Sequence, residues 1–217
     1  MPRERNELFR ISNSKEKEKI FVLAFEGNIT EEEYFEELKA SSIFNEELIY
    51  LHILKRPKTD TNSAPKHVFK KLKKEAKEEF NFNNKDELWM IIDRDRWHNI
   101  PEIIESCKAQ NNFFVAVSNP CFEFWLLLHV CEMSNLTQEQ KDNIFLNPKV
   151  SNNKRYLDKL LGELLGDGYN KNNPRTERFI TTITQAIKES KKLVISTEAY
   201  PSQLGSYVYK LVEKLIK

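Results

Sequence analysis

The chain has 217 residues, 40% of them hydrophobic and 31% charged, with 34 Lys+Arg against 33 Asp+Glu for a formal charge of +1. That is enough apolar material for a sizeable core and excludes wholesale disorder, while five glycines and eight prolines exclude collagen-like and low-complexity chains. Near-neutrality excludes a polycation, so contact with nucleic acid has to come from a local patch.

Met1 to Lys19 is charged and carries no apolar run of the kind a signal peptide needs. Ile20 to Phe25 is a continuous apolar run without polar alternation, the mark of a strand covered on both faces, and Glu26-Gly27 ends it. Thr30 followed by Glu33 has capping-box spacing, so a helix is expected from residue 30 with Tyr34, Phe35 and Leu38 on its apolar face. A second strand is expected over Leu48 to Leu54, then a basic amphipathic helix from Lys66 to Phe80 with Val68, Phe69, Leu72 and Ala76 facing inward. Glu87 to Ile92 repeats the buried-strand pattern and Asp93 ends it. Pro101 opens a helix with Ile103, Ile104 and Cys107 on one side, and Phe113 to Val117 is a fourth strand. Asn119-Pro120 reads as a cap and first-turn proline for a helix over Cys121 to Cys131. That helix is too apolar for a surface, and its core, Phe122 to Val130, is too short to cross a bilayer and holds Glu123 and His129.

After residue 135 strand signals fade, and Lys154 to Leu165, Thr176 to Leu193 and Ser206 to Ile216 read as helices. The order predicts an α/β fold: a mostly parallel central sheet flanked by helices (residues 1–135), and a helical C-terminal portion (residues 136–217) packed on it as one unit. Cys107, Cys121 and Cys131 cannot all pair and lack zinc-site spacing, so reduced thiols, a cytoplasmic location and no membrane contact are expected. No Gly-rich phosphate loop is present.

Parallel sheets bind ligands at the carboxyl ends of their strands. Two apolar runs here finish in acids at that edge: Glu26 on the first, then Asp93 and Asp95 on the third. Residues two apart on extended backbone point the same way, so Asp93 and Asp95 can converge on one cation. Glu31, in the first turn of the following helix, is a further ligand candidate, and acids so clustered repel one another unless a hard divalent ion such as Mg²⁺ neutralises them. An Asp-x-Asp after a strand is also a common turn, and Glu31, Glu32 and Glu33 also suit a helix dipole. Glu123, one turn into the apolar helix, is either a dipole-favoured acid or another ligand. His129 reads as a satisfied core histidine. Lys55, Arg56 and Lys58 follow the second strand at the same edge; with Arg94 and Arg96 they are the nucleic-acid-binding candidates, while the lysine-studded helix reads as a solvated face. Lys154, Arg155, Lys171 and Arg175 are further sources of phosphate contact if the fold brings them to the acids.

Three segments, Phe25 to Phe35, Asp93-Arg94-Asp95-Arg96-Trp97 and Ser118 to His129, resemble the RloB-like family. Tyr169-Asn170-Lys171, Ala186-Ile187 and Leu211-Val212-Glu213 follow in the same order, so the resemblance runs over nearly the whole chain. It implies a Toprim-like domain in which Glu26, Glu31, Asp93 and Asp95 hold Mg²⁺ (or Mn²⁺) for phosphodiester cleavage. Glu26 would serve also as general base, and Lys171 would stabilise charge. It implies as well a role in bacterial anti-phage defence or abortive infection, often beside an ATPase partner. The function expected is thus a metal-dependent nuclease acting on DNA or RNA (tRNA included), with homo-oligomerisation left open. The first alternative is a regulatory or nucleic-acid-binding subunit of an ATPase-containing defence complex. The second is a phosphatase of the haloacid-dehalogenase type, against which Arg96-Trp97 follow the Asp-x-Asp where a small Thr or Val is expected.

Overall fold

The computed structural model describes residues 17–27, 29–55, 64–78, 82–94, 97, 99–194 and 197–217, without the side chains of 76–78. Its first half alternates strand and helix: β1 (Lys19–Phe25), α1 (Thr30–Ala40), β2 (Ile49–Ile53), α2 (Pro65–Glu78), β3 (Glu87–Asp93), α3 (Ile100–Lys108), β4 (Phe113–Asn119) and α4 (Phe122–Val130). A 3-10 turn (Met133–Asn135), α5 (Gln138–Leu146), the hairpin β5 (Lys149–Ser151) and β6 (Lys154–Arg155), α6 (Tyr156–Leu165), α7 (Glu177–Ile180), α8 (Ile183–Lys192), β7 (Gly205–Ser206) and α9 (Val208–Leu215) follow.

The main sheet has the order β2-β1-β3-β4-β7; the first four strands are parallel and β7 runs antiparallel to β4. Apolar runs without alternation produce this because both faces are covered. On one face Phe21, Leu23, Phe25, Trp89, Ile91 and Ala116 join a cluster that takes in α1, α4 and the C-terminal helices. On the other, Ile20, Val22, Ala24, Leu88, Met90, Ile92 and Val117 meet Val68 and Leu72 of α2 and Ile100, Ile103, Ile104 and Cys107 of α3. The result is three layers, helices on a sheet on helices. Helix α4 is apolar all round because it lies inside: every residue from Phe122 to His129 is buried. It packs beneath α6, α7 and α8. The first apolar cluster therefore runs without a break from β1 through to Leu215. No helix among the described residues is long and apolar enough to cross a membrane.

Several local expectations are corrected. Thr30 is the first residue of α1, behind a position held by Ile29, and makes no side-chain cap. Asn119 is the last residue of β4 and Cys121 holds the position ahead of α4, which starts at Phe122, so Asn119 does not cap that helix and Pro120 does not open it. Strand pairing also continues past residue 135. Lys154 and Arg155 lie in β6 ahead of α6, Ser206 belongs to β7, and the expected helix over Thr176 to Leu193 is two helices divided at Thr181-Thr182. Two- and three-residue strands carry too few side chains to show periodicity. The basic helix is described as far as Glu78, and Ala76 lies outside the described side chains.

Candidate active site

In a doubly wound sheet a crevice opens where successive connections leave a strand in opposite directions. Here β1 connects through α1 to β2 on one side, and the chain then returns to β3 on the other side of β1. The acids sit at that point. Glu26 follows β1 and Asp93 ends β3, the adjacent strand, with the Glu26 N–H bonded to the Ile91 carbonyl.

The carboxylate of Glu26, 8% exposed, is held from two directions. Its Oε2 accepts the Asp93 N–H at 3.0 Å, and its Oε1 accepts the indole Nε1–H of Trp97 at 2.7 Å. Asp93 in turn accepts the Phe122 N–H on Oδ1 at 2.8 Å. The helix α4 is thus capped not by its own preceding residue but by a carboxylate from the neighbouring strand end. Glu31 folds back so that Oε1 accepts the Gly27 N–H at 3.1 Å. Gly27 is needed there: a Cβ at that position would fall on the Glu31 carboxylate. Burial, then the charge of Glu123 and, more weakly, of Glu26, push the Glu31 carboxyl up to about 7.

Lys171 answers part of this negative charge. Its Nζ lies 3.0 Å from Glu123 Oε1 and 3.4 Å from Asp158 Oδ1. Burial alone would lower its proton affinity, but Glu123 and Asp158 outweigh that and raise it, so the ammonium keeps its charge. The Tyr169 hydroxyl donates to Glu123 at 3.4 Å, and burial with the nearby Glu123 charge holds that phenol above its ordinary range. Burial, then Glu123 and Asp93, raise Cys121 well above a normal thiol, which makes it packing material rather than a nucleophile. A cleft of about 220 Å³ lies among Gly27, Thr30, Glu31, Asp93, Glu123, Lys171 and Asn172. The N-termini of α1 and α4 both open on it through their first-turn acids, Glu31 and Glu123.

The structure thus gathers Glu31, Asp93, Glu123 and Lys171 on one cleft with Glu26 bonded directly behind, and Asp95 lies outside the described residues. Hard oxygen donors that repel one another are the right chemistry for a divalent ion. Among the described residues, however, no three His, Cys, Asp or Glu side chains approach closely enough to form a metal-holding group. The basic candidates are more scattered. Lys55 pairs with Glu36 at 3.4 Å and Glu32 at 3.9 Å on α1, and Arg94 lies half-buried over the Tyr200 ring. Arg56, Lys58 and Arg96 lie outside the described residues. Arg155 donates to the Asn147 carbonyl, and Arg175 is engaged by Asp167.

His129 is in the core. Thr182 Oγ1 donates to the Phe179 carbonyl, so it accepts from His129 Nδ1 and leaves Nε2 to accept from the Tyr34 hydroxyl. Burial lowers its pKa to about 3 and keeps the ring neutral. Sequence reasoning misses Trp97 and Asp158 as participants. Trp97 stands inside the Asp-x-Asp segment with an indole N–H that needs an acceptor, which is a usable signal; Asp158 offers none.

A family model for RloB-like protein matches residues 21–215. The chain belongs to the RloB-like family. The match spans β1 to α9 and so covers both the strand ends that carry the acids and the late segment that carries Lys171. No curated protein and no solved structure gives a match.

Proposed function

We propose that this RloB-like chain is a divalent-metal-dependent nuclease that cleaves phosphodiester bonds of DNA or RNA at the carboxyl edge of its sheet, as an effector of bacterial anti-phage defence. The observation that carries the reading is the meeting of Glu26 and Asp93, 67 residues apart, through one hydrogen bond at the crevice, with Glu31 and Glu123 beside them. Glu26, Glu31, Asp93 and Asp95 would hold Mg²⁺ or Mn²⁺, with Glu123 as a further ligand. Bound there, the ion would orient water and stabilise both oxygens of an in-line displacement. Trp97 and the Asp93 N–H fix the Glu26 carboxylate, which would take a proton from water as general base. Lys171, kept charged by Glu123 and Asp158, would stabilise charge developing on the phosphate. The helix N-termini of α1 and α4 favour an anion in the same cleft.

The test uses the purified full chain with DNA and RNA substrates in Mg²⁺ or Mn²⁺. Asp93→Asn keeps an oxygen for the Phe122 N–H and should fold with a near-normal melting temperature. Glu26→Gln keeps an acceptor for only one of its two donors and should fold with a loss of about 1–3 kcal/mol. In each, cleavage should fall by about 100-fold or more. Cleavage at wild-type rates by both variants, or cleavage unaffected by chelator, refutes the proposal. A second reading, a regulatory or nucleic-acid-binding subunit for an ATPase partner, draws on the charge of +1 and on the ion pair that already occupies Glu123. Activity that appears only when a partner protein is co-purified would favour it.

A further inference from the structure

Beside the acid cleft lies a second, larger one of about 650 Å³, and Lys171 and Asn172 belong to the walls of both. Its wall includes Asp158, which is 4% exposed. One oxygen of that carboxylate has a structural role, since Oδ2 accepts the Arg155 N–H at 2.9 Å and caps α6. The other does not. Oδ1 is buried and accepts no well-formed hydrogen bond; it is met by the Lys171 ammonium, at 3.4 Å an ion pair longer than an ordinary hydrogen bond. A buried acceptor left in this condition costs stability unless something completes it.

We propose that Asp158 Oδ1 accepts the 2′-hydroxyl of a ribose, and that the second cleft is an RNA-binding subsite that selects RNA over DNA. Reach decides which donor can meet this oxygen. The inference rests on the nuclease reading in placing the phosphate at the acid cleft, against Lys171. A ligand donor that meets Asp158 must therefore lie immediately beside that phosphate. In a polynucleotide the 2′-hydroxyl is such a donor, on the carbon next to the one bearing the 3′-phosphate, whereas base amino groups lie across the sugar. Lys171 has 43% of its side chain exposed and sits in the loop between α6 and α7, so its head can turn from Asp158 to the phosphate and uncover Oδ1. The amide side chains of Asn153 and Asn172 on the same wall can both donate and accept, which suits a polar sugar–phosphate path. Deoxyribose offers no donor at this point, and the 2′-hydroxyl is the group by which a protein tells the two polymers apart.

The experiment measures binding of the full chain to a short oligoribonucleotide, its deoxy counterpart and its 2′-O-methyl counterpart, by fluorescence anisotropy in Ca²⁺. RNA should bind roughly ten- to a hundredfold more tightly than either analogue, the range expected for one buried acceptor left unmet. In Asp158→Asn the amide oxygen can still cap α6, while an NH₂ group replaces Oδ1. That variant, shown to be folded by circular dichroism, should bind RNA and 2′-O-methyl RNA within about twofold of one another, because its NH₂ group can donate to either 2′ oxygen. Equal wild-type affinity for RNA and 2′-O-methyl RNA, an undiminished preference for RNA over 2′-O-methyl RNA in folded Asp158→Asn, or no binding of any oligonucleotide overturns the proposal. Cleavage in Mg²⁺ is scored separately. RNA-selective binding without cleavage removes the nuclease and leaves this subsite, and indiscriminate cleavage of DNA and RNA does the reverse.

Discussion

Glu31 offers the most direct physical test of the acid cleft, because Gln has the same shape and stays neutral. The native carboxyl is pushed to about 7 from its ordinary 4.5 by burial and by Glu123. At about 1.4 kcal/mol per tenfold change in proton affinity, that rise means an ionised Glu31 costs the folded chain roughly 3 kcal/mol. The side chain is 5% exposed, so water screens little of this. The sign follows from the raised value: the folded state holds the proton more tightly than the unfolded chain. Stability associated with Glu31 is fully present below pH 4.5 and is lost as pH rises through about 7. Glu31→Gln mimics the protonated form and its oxygen can still accept the Gly27 N–H. In chelator the variant should match wild type at pH 4.5 and exceed it by up to about 3 kcal/mol at pH 8, a melting-point gain on the order of 6–12 °C for a chain of this size. Denaturant or thermal melts at the two pH values measure this. A variant less stable than wild type at pH 8, or a difference unchanged between the two pH values, refutes the electrostatic account of the cleft.

Three other perturbations follow from the same geometry. Gly27→Ala should lose stability, because the buried Glu31 carboxylate bonded to the Gly27 N–H must move aside, and its displacement should also reduce divalent-ion binding by calorimetry. Trp97→Phe removes the donor on Glu26 Oε1 and should cost about 1.5–3 kcal/mol in denaturant melts, the usual worth of a hydrogen bond to a charged group. His129, with its pKa lowered to about 3, contributes stability that is present above pH 6.5 and lost as pH falls toward 3. His129→Gln should therefore flatten the acid limb of the stability curve and leave the pH 7–9 limb unchanged.

The strands and the acids they end in were legible because each signal is local and long enough to read. A six-residue apolar run tells of two covered faces, and an acid at its carboxyl end tells of the crevice. What escaped was non-local. Asn119 has the composition of a cap, yet Asp93 does the capping from 29 residues away, since β3 and β4 end side by side. Thr30 likewise lost its expected role while Glu31 became the residue that turns back on the loop. The Lys171–Glu123 pair joins the loop after α6 to α4 across 48 residues, and no periodicity marks such a contact. Asp158 was invisible for the same reason, since it meets Lys171 only across the loop after α6.

These long-range contacts change the meaning of the C-terminal portion. On element order it is a helical portion packed on the α/β core, and the ammonium described at the acid cleft, that of Lys171, comes from it. Lys55 is drawn to α1, and Arg94 leans on Tyr200. The charge that meets Glu123 comes from Lys171, and the α4 helix that carries Glu123 is buried beneath α6, α7 and α8. The sheet therefore supplies repelling acids, and the helices that cover it supply both the ammonium that tempers them and the dry surroundings that make their repulsion strong. Any ligand that enters the cleft meets residues from both halves at once. A change in how α6 sits on α4 would alter the field at Glu31 and Asp93 without touching either residue.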